Sequence, residues 1–240
     1  MNKIQAYSVP SYIDQSTLRN LLKFVCLNKQ ARINKFISPK DSYRTLIGDI
    51  AVRVLACEKF RISNQEIFYK YNKYGKPYLQ IDPSFHFNIS HSGDWVVVVS
   101  SSEEVGIDIE RIQKINFDIA EKYFTISEYN DLLSCREENR IKYFFDLWTL
   151  KESYVKLLGK GLSIPLNSFT IIRHSDQFVV KKENTRIKDN LKEVFFKQYN
   201  LDNTYSFSAC SLDPIFPEDI EIFHLQDLLN MLTILQDKRD

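Results

Sequence analysis

The stretch FHFNISHSGDWVVVVSSSEEVGIDIE, residues 85–110, decides how the chain is read. FHFNIS and WVVVVSS are two β runs hinged at His91-Ser92-Gly93-Asp94, and VGIDIE (105–110) is a third after a polar interval at 100–104. Successive side chains of a strand face opposite sides, so Val105, Ile107 and Ile109 share one face while Gly106, Asp108 and Glu110 share the other. The two carboxylates point the same way with their Cβ atoms ~6.6 Å apart, close enough to converge on one cation. Gly106 beside them leaves room for a ligand. The same alternation also describes a half-buried antiparallel strand with a solvated acidic face, and the strand by itself leaves both readings open.

Outward from this stretch, helix and strand signals mix without a regular βαβ rhythm, which is the pattern of an α+β fold. Residues 14–60 read as helical, with Leu18, Leu21, Leu22 and Val25 at helix spacing and a second run over 43–60. A small basic cluster, Asn28-Lys29-Gln30-Ala31-Arg32, lies between them. YNKYGKPYLQ (71–80) is a Gly-Pro turn between short extended pieces. Past the acidic strand, 117–133 is polar and amphipathic, and Thr125-Ile126-Ser127-Glu128 has the form of a capping box. The strongest helix covers 141–158, where Phe144, Leu147, Trp148, Val155 and Leu158 recur at three- and four-residue steps and Gly159 is a natural stop. SFTIIR, QFVVK, VFFKQY and YSFSAC within 168–211 suggest antiparallel strands, and 227–235 suggests a final helix. The boundary between two halves falls at 101–105, giving segments 1–103 and 104–240.

Composition narrows the function. The 240 residues are 44% hydrophobic and 26% charged, with six glycines and seven prolines, as in ordinary globular proteins. Basic and acidic residues number 32 and 31, so no global field would hold the chain on nucleic acid or an anionic membrane, and neither is expected as a partner. No apolar run approaches the ~20 residues that span a bilayer, and MNKIQAYSVP has no signal-peptide core, so the chain reads as cytoplasmic. Cys26, Cys57, Cys135 and Cys210 form no CxxC pair, and His86, His91, His174 and His224 no HExxH, which argues against zinc. Oxygen ligands favour magnesium, manganese or calcium instead.

A third carboxylate joins the two on the strand. Glu152 sits four residues after Trp148 and three before Val155, on or beside the apolar stripe of the 141–158 helix, where a carboxylate needs a partner. An ion pair with Lys156 one turn on is one such partner; a metal ion is another. Asp108, Glu110 and Glu152 together form a trio of the kind that holds a divalent cation on a phosphate substrate, with Lys151, Lys156, Lys160 and His91 as counter-charges. Gly159-Lys160-Gly161 is not a P-loop, and no GxGxxG is present.

FNISHSGDW (87–95), VGIDIE (105–110) and WTLKESYVKLLGKGL (148–162), with YRTLIGD (43–49) and YGKPYL (74–79) upstream, stand in the order and spacing of the 4′-phosphopantetheinyl transferases. The chain resembles the larger, Sfp-type branch, over about residues 28–170. The resemblance implies an α+β pseudo-dimer, two halves of like fold in one monomeric chain with the active site in the cleft between them. It implies transfer of phosphopantetheine from coenzyme A to a serine of an apo peptidyl or acyl carrier protein, releasing adenosine 3′,5′-bisphosphate, with magnesium, or manganese, as the ion. Such carriers belong to non-ribosomal peptide and polyketide synthetases, which make antibiotics and siderophores.

Residue by residue, the resemblance makes Asp108, Glu110 and Glu152 the metal-binding acids, with Glu152 also the candidate general base. It makes Lys156 a phosphate contact and places Ser90 and His91, of the Ser-His-Ser motif, near the coenzyme A phosphates. Lys29, Arg32 and Thr45 fall where the family binds the 3′-phosphate, and Gly75, Lys76 and Pro77 where it holds the adenine. The carrier surface falls at 112–124, where Lys114, Ile115, Phe117 and Phe124 offer a basic and apolar mixture, unless that segment is simply a helix packed on the core. Two further readings of the trio are a metal-dependent nuclease or phosphohydrolase, and a non-catalytic carrier-binding homologue.

Overall fold

In the computed structural model, which describes residues 1–175, 177–182 and 193–236, the three β runs of 85–110 go to two different sheets. The elements in order are β1 (Lys3–Ser8), α1 (Gln15–Leu22), α2 (Leu27–Ile33), α3 (Pro39–Phe60), β2 (Tyr69–Tyr71), β3 (Pro77–Leu79), β4 (His86–Ser92), β5 (Trp95–Ser101) and β6 (Val105–Arg111). Then follow α4 (Asp118–Tyr123), α5 (Ile126–Ser134), α6 (Glu137–Leu158), β7 (Phe169–His174), β8 (Gln177–Lys182), β9 (Phe195–Tyr199), β10 (Tyr205–Ser211), β11 (Glu221–Phe223) and α7 (Leu225–Leu235). Helices and mainly antiparallel sheets make the α+β fold that the sequence suggests.

β4 and β5 form the expected hairpin, closed by Ser92 opposite Trp95 with Gly93 at φ +54°. They extend through β1 to β11 in the order β11-β1-β5-β4, while β6 leaves this sheet and pairs with β10 in the order β6-β10-β9. The alternation of β5 explains the layering. Val96 and Val98 join the core under α3 with Leu46, Ile47 and Ile50. Val97 and Val99 face the other way, meeting Ile4 and Ala6 from β1 and Val105, Ile107 and Ile109 from β6 in a core between the two sheets. On the far side of β6, α6 packs across the second sheet, so the order of layers is helix, sheet, sheet, helix.

Local chemistry fixes the ends of the elements. Asp14 caps α1 by accepting from the Ser16 and Thr17 N–H groups, and the Thr125–Glu128 capping box opens α5 as its sequence indicated. The amphipathic piece over 117–133 is two helices, broken at the extended Phe124 and Thr125. α6 stops at Gly159, whose φ of +63° suits a residue without Cβ. The C-terminal segment crosses back to the first sheet: β11 pairs in parallel with β1, and Leu228, Leu232 and Leu235 of α7 join the core under α3.

Candidate active site

β6 and α6 meet backbone to backbone. A Cβ on Gly106 would lie 1.9 Å from the Ser153 carbonyl oxygen, so this glycine makes room for a helix and not for a ligand as its place beside the acids suggested. The helix covers the acidic face, and Asp108 is only 3% exposed, which removes the reading of a solvated acidic strand. What makes burial of Asp108 tolerable is pairing. Its Oδ1 accepts from the Ser90 hydroxyl at 2.8 Å and from Lys156 Nζ at 2.5 Å, while its Oδ2 is buried with no hydrogen-bond partner among the described residues.

Ser90 stands at the centre of this contact. Its hydroxyl donates to Asp108 and accepts from Lys156 Nζ at 2.9 Å and from the Ile109 N–H at 3.4 Å. One turn before Lys156 on α6, Glu152 is half-buried, and its pKa is raised by burial and by the Asp108 charge against the pull of Lys156. Glu110, which accepts from the Ser92 hydroxyl at 2.8 Å, is pushed up to about 7 by burial and by Asp108, with a smaller contribution from Glu152. The charges of the three carboxyl groups therefore act on one another. Among the described residues no group of three or more His, Cys, Asp or Glu side chains is already gathered for a metal ion. Lys156 supplies the positive charge against Asp108.

His91 follows Ser90 on β4 with its side chain on the opposite face of the strand, at the surface. Partial desolvation by the surrounding protein lowers its pKa, and so do Arg44 and Lys156 nearby, which favours the neutral ring. Arg44 has no counterpart in the residues singled out from sequence. It donates to the Gly93 carbonyl at 2.9 Å from Nε and 2.6 Å from Nη2, and pairs with Asp41 at 2.6 Å. Lys40 and Arg111 meet at Asp94 in the same turn, so the β4–β5 hinge carries a ring of cations. A lone arginine in YRTLIGD gives no signal of this, because the ring is assembled from α3, the hinge and the end of β6.

The remaining expected residues lie on other elements. Thr45 is half-buried on α3, one turn from the buried Asp49. Lys29 pairs with Asp49 at 3.0 Å, and Asp49 also accepts from Arg53 Nε at 2.6 Å, so Lys29 is held by an internal network. Arg32 is exposed in the last turn of α2. Gly75, at φ +90°, tips the β2–β3 hairpin. Lys76 reaches inward from it, donating to Glu104 Oε2 at 2.9 Å and to the carbonyls of Leu157 at 3.1 Å and Val105 at 3.3 Å. Pro77 lines a cavity of about 400 Å³ with Phe85, His86, Phe87 and Glu104.

Two expectations are corrected. Lys151 is no counter-charge for the trio: it is fully buried, paired with Glu128 at 2.8 Å, and donates to the Phe169 carbonyl at 2.6 Å. Phe124 is 3% exposed and packs on Phe144 with ring centroids 5.2 Å apart, so within 112–124 it is core. Lys114 is exposed, and the apolar side chains showing on the adjoining helices include Ile119, Tyr123, Ile126 and Leu133.

Comparison with known proteins shows the family of the chain. A family model described as the 4′-phosphopantetheinyl transferase superfamily matches residues 104–210, and one described as 4′-phosphopantetheinyl transferase, N-terminal, matches residues 13–103. The chain is 37% identical over 227 residues to the 4′-phosphopantetheinyl transferase ffp of Bacillus subtilis, covering 95% of this chain and 100% of that one. It is 35% identical over 227 residues to the 4′-phosphopantetheinyl transferase Sfp of Bacillus subtilis (strain 168), with the same coverage. To the 4′-phosphopantetheinyl transferase gsp of Aneurinibacillus migulanus it is 38% identical, over 93% of this chain and 92% of that one.

Proposed function

The chain belongs to the 4′-phosphopantetheinyl transferase superfamily and transfers phosphopantetheine from coenzyme A to carrier proteins, and from this we propose that the transfer takes place where β4, β6 and α6 meet. The acceptor is the serine hydroxyl of an apo peptidyl or acyl carrier domain, of the kind found in non-ribosomal peptide and polyketide synthetases, and the setting is antibiotic biosynthesis. The serine oxygen forms a bond to the β-phosphorus of coenzyme A as the bond from that phosphorus to the bridging oxygen breaks, and adenosine 3′,5′-bisphosphate leaves. One observation carries the placement: the buried Asp108 has one oxygen without a partner and Lys156 on the other, and its charge acts on both Glu110 and Glu152.

Asp108, Glu110 and Glu152 would hold Mg²⁺, or Mn²⁺ in its place. The fit is supported by the unpartnered Asp108 Oδ2 and by the burial and the Asp108 charge that together hold Glu110 and Glu152 above the usual carboxylate range. Bound there, the ion supplies charge screening to a diphosphate. Lys156 and a neutral His91 bind the phosphate oxygens, and Ser90 keeps Lys156 and Asp108 in register. Glu152 takes the serine proton. A carboxyl group of raised pKa is a better base than an ordinary one, but a tight metal ligand loses basicity, so Glu152 performs one role directly and the other through water.

For the rest of coenzyme A, Arg32, Lys29 and Thr45 bind the 3′-phosphate, and the Gly75-Lys76-Pro77 turn holds the adenine. The carrier docks along 112–124 and the adjoining helices, where exposed Lys114, Ile119, Tyr123 and Ile126 match an acidic, partly apolar helical partner. The halves divide at 103/104, with the C-terminal segment completing the first sheet, and the enzyme acts as a monomer. Among the described residues no helix is long and apolar enough to cross a membrane, and the four free thiols suit the reducing cytoplasm in which we place the enzyme. Glu152→Gln tests the assignment of chemistry: the rate of transfer falls by ~10²-fold or more while calorimetric coenzyme A binding is kept, whereas full activity in that variant removes Glu152 from the reaction.

A further inference from the structure

β6 is an edge strand whose open edge is closed by side chains. Pairing with β10 uses one edge, and the N–H groups of Ile107, Ile109 and Arg111 point from the other towards β4. Among the described residues no strand ladder meets them. Instead Asn88 Oδ1 accepts from the Ile107 N–H at 3.0 Å, Ser90 Oγ from the Ile109 N–H at 3.4 Å, and Ser92 Oγ from the Arg111 N–H at 3.0 Å. The offset is 19 residues at every step. Lys76 extends the series by donating to the Val105 carbonyl at 3.3 Å. Each side chain in the series substitutes for the backbone of a missing neighbour strand.

The two serines do more than close the edge. Each hydroxyl, having accepted from a β6 amide, donates its own proton to the carboxylate one residue earlier: Ser90 to Asp108 and Ser92 to Glu110, both at 2.8 Å. A hydroxyl has one proton to give, so the amide it accepts from and the carboxylate it donates to together fix the rotation of both groups. We propose that Asn88, Ser90 and Ser92 form a side-chain ladder that sets the direction of the acidic strand's carboxylates, and that Ser92 is the positioning residue for Glu110. The inference rests on the metal role given to Glu110 above. Ser92 is tied to β4 and Glu110 to β6, so this hydrogen bond places a carboxylate from one sheet by reference to the other.

Binding of Mn²⁺ to the protein without coenzyme A, followed by loss of the free-ion electron paramagnetic resonance signal, tests the proposal together with amide hydrogen exchange at Arg111. Ser92→Ala is expected to weaken Mn²⁺ binding ~10-fold or more and to speed exchange of the Arg111 amide, and Ser92→Thr, which keeps the hydroxyl, to restore both. Coenzyme A binding without metal stays within about twofold of the parent, since Ser92 touches carboxylate and amide and not the phosphate-binding cations. Mn²⁺ binding by Ser92→Ala equal to that of the parent, with the Arg111 amide exchanging faster, would overturn the positioning role and leave the proposed function standing. A parent protein that takes up no Mn²⁺ at all would overturn the metal assignment, and the role of Ser92 with it.

Discussion

Lys151 shows how a single side chain on α6 can be misassigned when only its neighbours in sequence are visible. In WTLKES it stands next to Glu152 and looks like a cation for the acidic site. The 100° step between successive helical residues turns it away from Glu152, into the core with Glu128 and over the Phe169 ring at 4.3 Å. Glu128 in turn accepts from the Thr125 and Ile171 N–H groups at 2.9 Å and 2.8 Å, so the pair ties α5, α6 and β7 together. Removing the cation leaves a buried carboxylate without its charge partner. Lys151→Met is expected to cost about 3–5 kcal/mol in urea unfolding, and Lys151→Met combined with Glu128→Gln to cost less than the single change. A single variant as stable as the parent would show that the pair holds nothing. By contrast, the nearness of Asp108 to Lys156 was open to a sequence reading, because both lie in stretches, VGIDIE and WTLKESYVKLLGKGL, that stand out in the chain. Arg44 and Ser92 were not: their role depends on which elements come to lie beside them.

At the scale of elements, the helix that carries Glu152 and Lys156 was plain in the sequence, and so was its end at Gly159. Its start lies four residues before the first periodic residue, Ile141, at Glu137, because the opening turn is polar and exposed and has no apolar rhythm to reveal it. The strand NISHS carries Asn88, Ser90 and Ser92 at every other position, but that they meet the β6 amides depends on β4 coming to lie beside β6. Gly106 is where strand and helix touch. Gly106→Ala puts a methyl group 1.9 Å from the Ser153 carbonyl and 2.5 Å from the Leu157 nitrogen, both backbone atoms that cannot rotate away. The helix must shift, so the change is expected to cost about 1–3 kcal/mol of stability and also to reduce transfer in protein that remains folded. Thermal melts and initial rates measured on the same preparation check this; unchanged values in both would mean that α6 does not need its close approach to β6.

Across the whole molecule, parts distant in sequence meet at Glu104, between β5 and β6. It lies 2.9 Å from Lys76 on the β2–β3 hairpin and 3.4 Å from His86 on β4, while Lys76 also holds the Leu157 carbonyl at the end of α6. Burial alone would raise its pKa, but the His86 hydrogen bond and the Lys76 charge outweigh that and hold it at about 2, below the ordinary 4.5. A depressed carboxylate stabilises the fold above its unfolded pKa and loses that contribution as pH falls through the folded one. The Glu104 contribution is therefore complete above about pH 4.5 and disappears towards pH 2, reduced in size by solvent because the side chain is 45% exposed. Glu104→Gln should accordingly lower the urea midpoint at pH 7 and flatten its decline between pH 4.5 and 2; parallel curves for variant and parent would contradict it. At this scale the α+β class followed from the sequence, but the return of β11 to β1 did not, because a three-residue strand has no periodicity and its partner lies more than 200 residues away.

The site drawn from β4, β6 and α6 is tested most directly by the mass of the product. An apo peptidyl carrier domain incubated with this protein, coenzyme A and Mg²⁺ is expected to gain one phosphopantetheine, and to gain none with Asp108→Ala or in the presence of a chelator. A gain of the same size with Asp108→Ala would place the chemistry elsewhere, and no gain with the folded parent protein on several carrier types would contradict the function itself.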